Sequence, residues 1–179
     1  TYDVNSGEEV FEGVTVDNRG FVYAVGENTT NPFIVKINIT DQSLVWNITV
    51  DTNGEDDFYA VKYYNDSLYI VGDALNQGLL RKYNATNGSI IWSVTQDWVG
   101  SPGVHLRDVD VDSSGNPHFT GNLSDQFILA KYYSNGSLGW NFSYGSDMAR
   151  GISLDQENHI YATGTANTNI HTVRFNVSN

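Results

Sequence analysis

The chain has 179 residues and a mass of 19.8 kDa, the size of one large domain or two very small ones. Its 21 acidic and nine basic residues give a net charge of -12, which disfavours nucleic acid as a partner because a phosphate backbone attracts basic surfaces. Cysteine is absent, which excludes disulfides, thiolate zinc sites and thiol nucleophiles, and no segment approaches the ~18 apolar residues of a membrane helix.

The first predicted elements are four short strands joined by polar turns. An alternating strand at 13–17 precedes a second strand at 22–26 that ends in glycine, a third strand at 33–37 and a fourth at 45–49. Alternation with period two and short turns is typical of antiparallel hairpins. No segment sustains apolar residues at helical spacing, so we predict an all-β fold.

The same unit recurs along the whole chain. The glycines that end the second strands, Gly26, Gly72, Gly121 and Gly164, are 46, 49 and 43 residues apart. The four units cover about 7–50, 54–96, 101–143, and 147–179 together with 1–6. Four strands of about five residues in a ~45-residue repeat are typical of one blade of a β-propeller. We expect the fourth-strand tryptophans to pack on the adjacent sheet; they are Trp46, Trp92 and Trp140.

The last repeat stops after its third strand, and its fourth strand is expected at the other end of the chain. The opening segment matches 140–144 in length and pattern, with tyrosine in place of tryptophan. We therefore predict a four-bladed propeller of four-stranded antiparallel blades, in which the N-terminal strand completes the last blade and removes a free sheet edge. The residues predicted to close the blade, or to be donated to a neighbouring copy, are Tyr2, Asp3, Val4, Asn5 and Ser6.

The repeats resemble those of a known family. The motif Val-Asp-x-x-Gly occurs at 16–20, Tyr-x-x-Gly at 23–26, Lys-Tyr at 131–132 and Gly-x-x-x-Trp at 136–140. This pattern is similar to the β-propeller repeats of secreted and cell-surface proteins of bacteria and archaea. The resemblance covers the whole chain and implies an architecture and a location, since the motif carries no catalytic group.

Acceptor sequences for N-glycosylation are unusually frequent. The chain has 20 Asn and 29 Ser or Thr, so that roughly three N-x-[ST] sequences would arise by chance, whereas ten are present. With a start at Thr1, which suggests a processed or excised chain, this excess predicts an extracellular glycoprotein. The predicted acceptors are Asn28, Asn38, Asn47, Asn65, Asn84, Asn87, Asn122, Asn135, Asn141 and Asn176.

Acidic residues in the loops that enter the repeats are expected to gather on one face. Carboxylates can bind Ca²⁺, and solvated charge is the alternative interpretation. The residues are Glu8, Glu9, Glu55, Asp56, Asp57 and Asp147, of which Glu55, Asp56, Asp57 and Asp147 are the candidate metal ligands. Near the axis, Lys62 and Asp110, or Arg107 and Asp108, are candidate ion pairs; the alternative is a solvated channel lining.

No known catalytic motif is present, and the sequence predicts a non-enzymatic structural or adhesive module. Its expected partners are further copies of itself, other surface proteins and glycans, and donation of the N-terminal strand would build filaments. Two alternatives stay open. One is a carbohydrate-binding module or glycan-active enzyme that uses the acidic face, and the other is an eight-bladed ring made by two chains.

Overall fold

A computed structural model describes residues 9–28, 31–50, 56–75, 77–96, 103–124, 126–145, 147–166 and 169–175. They form fifteen β-strands, and none of them forms a helix long and apolar enough to cross a membrane. The strands are β1 (Glu9–Val16), β2 (Phe21–Asn28), β3 (Pro32–Asn38), β4 (Leu44–Thr49), β5 (Asp56–Tyr64), β6 (Ser67–Ala74), β7 (Gln77–Asn84), β8 (Ile90–Gln96), β9 (Val104–Val111), β10 (Pro117–Leu123), β11 (Gln126–Tyr132), β12 (Leu138–Tyr144), β13 (Asp147–Leu154), β14 (Ile160–Ala166) and β15 (Asn169–Phe175).

The strands form four antiparallel sheets in which each strand pairs with its neighbours in the chain. Sheet 1 contains β1–β4, sheet 2 contains β5–β8, sheet 3 contains β9–β12 and sheet 4 contains β13–β15. The predicted all-β fold and the predicted repeat of hairpins are confirmed. Sheet 4 has three strands in the described part of the chain, and residues 1–6, the predicted fourth strand, lie outside that part.

The periodic glycines have a steric cause. At Gly72 in β6, an added Cβ would collide with the carbonyl oxygen of Asp57 in the paired strand β5, and Gly26, Gly121 and Gly164 meet the same obstacle. Each of these glycines lies opposite a bulge in the first strand of its sheet. A bulge tilts one strand towards its partner and leaves no room for a side chain.

Two first turns lack the glycine of the repeat motif and use other residues that tolerate a left-handed backbone. Gly20 and Gly115 have φ values of 88° and 81°, whereas Asn65 and Asp66 have 44° and 57°, and Asn158 has 62°. Asn and Asp visit this region more readily than other residues that carry a side chain. The hairpin is therefore kept in all four repeats.

The hydrophobic core lies between consecutive sheets. One cluster joins sheets 1 and 2, a second joins sheets 2 and 3, and a third joins sheets 3 and 4. Trp46, Trp92 and Trp140 each pack against the cluster that faces the next sheet, as predicted. Between the first strands of sheets 2 and 3, the Lys62 ammonium lies 2.8 Å from Asp110, which confirms that expected ion pair.

The two outer faces of this row of sheets are open. Val14 in the first strand of sheet 1 is 68% exposed, whereas the residues at its position in the other sheets are 4–8% exposed. Those residues are Val61, Val109 and Ile152. Each of them is covered by the preceding sheet, so the exposure of Val14 shows that sheet 4 does not cover sheet 1. A closed ring of four sheets is thus not seen in the described residues.

Candidate functional site

An acidic cluster lies where β2, β5 and β6 approach one another. Tyr59 donates a hydrogen bond to Asp57 (3.0 Å), Asp57 pairs with Asp73 across the sheet, and Glu27 shares a hydrogen bond with Asp57. The shared hydrogen bond, burial and the charges of Asp57, Glu12 and Asp73 together raise the pKa of Glu27 to about 7. Glu27 is therefore partly protonated near neutral pH.

Side chains from β9 complete the cluster. His105 Nδ1 lies 2.8 Å from Asp73 Oδ2, and the Arg107 guanidinium lies 4.4 Å from the centre of the Tyr59 ring. Burial, followed by the hydrogen bond with Asp73, raises the pKa of Tyr59. The cluster is thus held together by contacts among its own members.

The Glu27 and Asp57 carboxyl groups are closer together than the carboxyl pair of a glycosidase. Glycosidases separate their two carboxyl groups by about 5 to 9 Å, whereas Glu27 and Asp57 are in direct hydrogen-bond contact. Within the described residues, no three His, Asp or Glu side chains are arranged to hold a metal ion.

The predicted acidic residues fall at different places. Asp57 belongs to the cluster, and Asp56 beside it is 4% exposed. Glu9 begins β1, and Asp147 begins β13, where only its backbone is described. Glu8 and Glu55 lie outside the described residues.

Glu27 and Asp73 are not among the residues predicted from the sequence, although a signal for them exists. Each residue directly follows the glycine that ends the second strand of its repeat, at Gly26 and Gly72. Equivalent positions of adjacent repeats lie near one another at the same end of the sheets, so two acids at this position would have predicted the cluster.

A second group of polar side chains connects neighbouring sheets. Tyr23 and Lys36 of sheet 1 both donate to the carbonyl oxygen of Ala85 in sheet 2 (3.3 and 2.9 Å), and the Trp46 indole donates to Thr86 O (3.2 Å). Ala85 and Thr86 lie in the turn between the third and fourth strands. One side chain from each of β2, β3 and β4 thus contacts the same turn of sheet 2.

The same connection recurs between sheets 2 and 3. Lys82 and Trp92 both donate to the carbonyl oxygen of Ser134 (3.3 and 3.0 Å), in the matching turn of sheet 3, and Tyr69 donates to Gly115 O (2.8 Å). Burial raises the pKa of Tyr69 to about 12. These donors, of which Tyr69 is buried, join sheet 2 to sheet 3.

Between sheets 3 and 4 the contacts are made by carboxylates. The Oδ2 atoms of Asp108 and Asp110 accept hydrogen bonds from the backbone N–H groups of Ile152 and Leu154, both at 2.8 Å. Burial raises the pKa of Asp108, and the bond from Ile152 opposes that shift. The two aspartates pair with the inner edge of β13, which would otherwise carry unsatisfied N–H groups.

The outer edge of sheet 4 lies beside an apolar cavity of about 360 Å³. Phe142 and Tyr144 of β12 and His171, Val173 and Phe175 of β15 line it. In the described part of the chain, β15 pairs along its length with β14 alone, and both Phe142 and Tyr144 are exposed. An edge strand with apolar side chains next to it is a template for a further strand.

The predicted glycosylation residues differ in exposure. Five of them are exposed, namely Asn47, Asn65, Asn87, Asn135 and Asn141. Asn28, Asn38 and Asn84 are partly buried, Asn122 in β10 is 8% exposed, and Asn176 lies outside the described residues.

The raised pKa of Glu27 predicts a specific pH dependence. Because its folded-state pKa lies above that of the unfolded chain, this group stabilises the fold at low pH and loses that contribution between about pH 4.5 and 7. We expect Glu27→Gln to be more stable than the wild type at pH 8, on the order of 1 kcal/mol after solvent screening, and equal to it at pH 4. Urea denaturation at both pH values measures this difference. Glu157→Gln, a side chain that is 80% exposed on sheet 4, serves as the control; equal curves for wild type and Glu27→Gln at pH 8 would contradict the prediction.

No protein-family model matches this sequence, and no curated protein matches it either. Solved structures do. Catalytically inactive virginiamycin B lyase from Staphylococcus aureus, with quinupristin, is 14% identical (TM-score 0.67) over 98% of this chain and 58% of its own. A protein from Lactobacillus plantarum is 12% identical (TM-score 0.67) over 93% and 52%, respectively. The Dos1 propeller is 8% identical (TM-score 0.63) over 86% and 42%.

These identities show a shared fold and nothing about activity. The chain spans less than two thirds of the length of each of these proteins. Together with the four consecutive meander sheets, the comparisons show that this chain has the repeat fold of β-propeller proteins.

Proposed function

We propose that this chain is a non-enzymatic, N-glycosylated extracellular module of the propeller type, with a structural or adhesive role, which assembles by accepting a strand at the edge of β15. The observation that carries this proposal is the edge of β15 with the apolar cavity beside it. Exposed aromatic rings next to an open sheet edge favour addition of a strand, because the strand gains backbone hydrogen bonds and covers apolar surface.

The opening segment is the best candidate for that strand. In sheets 1, 2 and 3 the third-strand lysine pairs with the fourth-strand tryptophan, as Lys36 does with Trp46. The third-strand residue of sheet 4 is Arg174, so the same register places Tyr2 opposite it. Tyr2 would then stand beside Arg174 and Tyr161, as Trp46 stands beside Lys36 and Tyr23.

The strand reaches β15 either within one chain, which closes the predicted four-bladed ring, or from a second chain. The exposed first strand of sheet 1 favours the second route, because closure within one chain would bury Val14. A strand exchanged between copies builds rings or filaments, which suits a structural or adhesive role at a cell surface.

A synthetic peptide of residues 1–7 tests strand acceptance. We expect it to bind the chain that lacks residues 1–6 and to protect the amides of β15 from hydrogen exchange. The peptide with Tyr2→Ala is expected to bind at least tenfold more weakly. The same register places Asp3 opposite Val173, on the side of the strand that faces the cavity, so the peptide with Asp3→Ala is expected to bind no more weakly than the parent peptide and serves as the matched control. Absence of binding, or protection elsewhere than β15, would refute strand acceptance.

The glycosylation part of the proposal is tested separately. Mass spectrometry of the protein from its native source is expected to find glycans on the exposed Asn47 and Asn141, whose side chains point away from the tryptophans beside them. Asn122 is expected to be bare, because its buried amide is closed to a glycan in the folded chain. Bare asparagine at all exposed positions would contradict an N-glycosylated module.

A further inference from the structure

We infer that the open face of sheet 4 docks onto the open face of sheet 1 in a second copy of this chain. We call the first surface the tail face, defined by Ser153, Tyr161 and Arg174, and the second the head face, defined by Val14 and Val16. The inference rests on the proposed self-association of the chain and names the partner and the contact surface; the strand accepted at β15 is a separate contact.

The tail face carries the donors that join the other sheets. Tyr161 occupies the position of Tyr23, Tyr69 and His118, and it is 37% exposed, whereas those three are 0–2% exposed. Arg174 occupies the position of Lys36 and is likewise exposed, with its guanidinium 6.0 Å from the centre of the Tyr161 ring. In sheet 1 the matching pair is buried by the next sheet.

The head face carries the matching acceptor. The donors of sheets 1 and 2 reach the carbonyl groups of Ala85 and Ser134, each three residues beyond the third-strand lysine. The residue at this position in sheet 1 is Ile39, three residues after Lys36, and it is exposed. If the same pattern holds between copies, Tyr161 and Arg174 of one copy face the turn of another copy that contains Ile39.

The first strands of the two faces are complementary in the same way. Thr15 Oγ1 accepts a hydrogen bond from the backbone N–H of Tyr63 (3.2 Å), and Asp110 accepts one from Leu154. At the matching positions, the tail face has the hydroxyl of Ser153 and the head face has the backbone N–H of Val16. A hydroxyl can accept this hydrogen bond as Thr15 does.

Apolar burial supplies the driving force. The preceding sheet covers Val61, Val109 and Ile152 in sheets 2, 3 and 4. In the described residues, the head face offers Val14 at the equivalent position without such a cover, and Val16 beside it is also exposed. Burying exposed valines against a sheet is favourable by the hydrophobic effect. The tail face of another copy provides a sheet of the required register and chemistry.

The contact is heterologous, because it joins two different surfaces. Such a contact produces a ring if the rotation between copies closes and a filament if it does not. A closed pair of copies would contain eight sheets.

The absence of cysteine makes disulfide trapping a clean test. We prepare two single-cysteine variants of the full chain, Val16→Cys on the head face and Ser153→Cys on the tail face, and oxidise them mildly, alone and mixed. The mixture is expected to form the crosslinked heterodimer at least tenfold faster than either variant alone. The matched control replaces Ser153→Cys by Thr95→Cys, at an exposed position of β8, and is expected to give no such dimer.

The double variant with both cysteines distinguishes the alternatives. Crosslinked dimers and longer ladders support docking between copies, whereas a monomer with an internal disulfide shows a ring closed within one chain and overturns the inference. A mixture without heterodimer, or one with equally rapid head-to-head dimers, also overturns it.

A further variant separates this inference from strand acceptance. Val14→Lys places a charge in the head face and is expected to lower heterodimer formation at least tenfold, while binding of the 1–7 peptide at β15 stays unchanged. Loss of peptide binding with retained crosslinking would refute strand donation alone, and unaffected crosslinking of Val14→Lys would overturn the docking surface.

Discussion

Replacing Asp112 with alanine is expected to destabilise the fold by about 3 to 4 kcal/mol at pH 7. This carboxylate is 5% exposed and accepts hydrogen bonds from the backbone of Ser114 and Asn116 (3.0 and 2.9 Å), from His118 Nε2 (3.2 Å) and from Lys131 Nζ (3.1 Å). Its removal leaves the buried His118 and the Lys131 ammonium without their common acceptor, and unpaired buried polar groups carry the full cost of desolvation.

The pH dependence of this effect is also defined. Burial raises the pKa of Asp112, but the hydrogen bonds from Asn116, His118 and Lys131 outweigh it and lower the pKa to about 2. The folded-state pKa is therefore below the unfolded value, and the contribution is lost as the pH falls from about 4 to 2. The difference in unfolding free energy between wild type and Asp112→Ala should accordingly become smaller as the pH falls from about 4 to 2.

Urea denaturation of Asp112→Ala and Asp155→Ala measures the effect with a matched control. Asp155 holds the equivalent position in sheet 4 and accepts similar bonds from Glu157, His159 and Tyr161, but its side chain is much more exposed. We expect a clearly smaller loss of stability for Asp155→Ala, because water can replace the missing carboxylate as the hydrogen-bond acceptor. Equal losses for the two variants would show that burial does not determine the contribution of this motif.

Replacing Gly72 with alanine is expected to destabilise the protein by about 3 kcal/mol or more. The new methyl group would meet the backbone of Asp57 and Phe58 in the paired strand, so the backbone of β5 or β6 must move. Such a shift disturbs sheet 2, which packs against both of its neighbours, and rigid backbone gives way less readily than a side chain.

Gly20→Ala provides the control for this substitution. Gly20 has a φ of 88° and no atom within 4 Å of its expected Cβ, so its replacement should cost only about 1 kcal/mol through backbone strain. Thermal and urea unfolding give the stability of both variants, and so compare the steric clash in Gly72→Ala with the backbone strain in Gly20→Ala. A Gly72→Ala protein as stable as Gly20→Ala would contradict the bulge as the reason for the periodic glycine.

The strands and sheets could be predicted from the sequence because each repeat carries its own signals. Alternating residues at 13–17, the glycine at 26 and the tryptophan at 46 recur at a fixed period, and the structure confirms the order of strands that they imply. The Lys62–Asp110 pair was one of two candidate ion pairs that the alignment of neighbouring repeats offered, and the structure shows this one, because equivalent positions of adjacent sheets lie next to one another.

The relation between the first and last sheets could not be predicted in the same way. Whether Val14 contacts sheet 4 depends on the rotation between each pair of neighbouring sheets. These small rotations accumulate along the row, and the sequence of a single repeat does not determine their total. The acidic cluster could be predicted only in part, because Glu27 and Asp73 come from second strands, whereas the predicted acidic residues lie at or near the loops that enter each repeat. A contact between strands of different sheets depends on their three-dimensional approach.

The distance between the head and tail faces of one chain tests the central claim most directly. Spin labels on Val14→Cys and Ser153→Cys, in doubly labelled chains diluted in excess unlabelled protein, report this distance without contributions from neighbours. Sheets pack about 10 Å apart, so four sheets in an open row should place the labels more than about 20 Å apart. A single population at or below about 15 Å would show that sheets 1 and 4 meet within one chain and would contradict the open row.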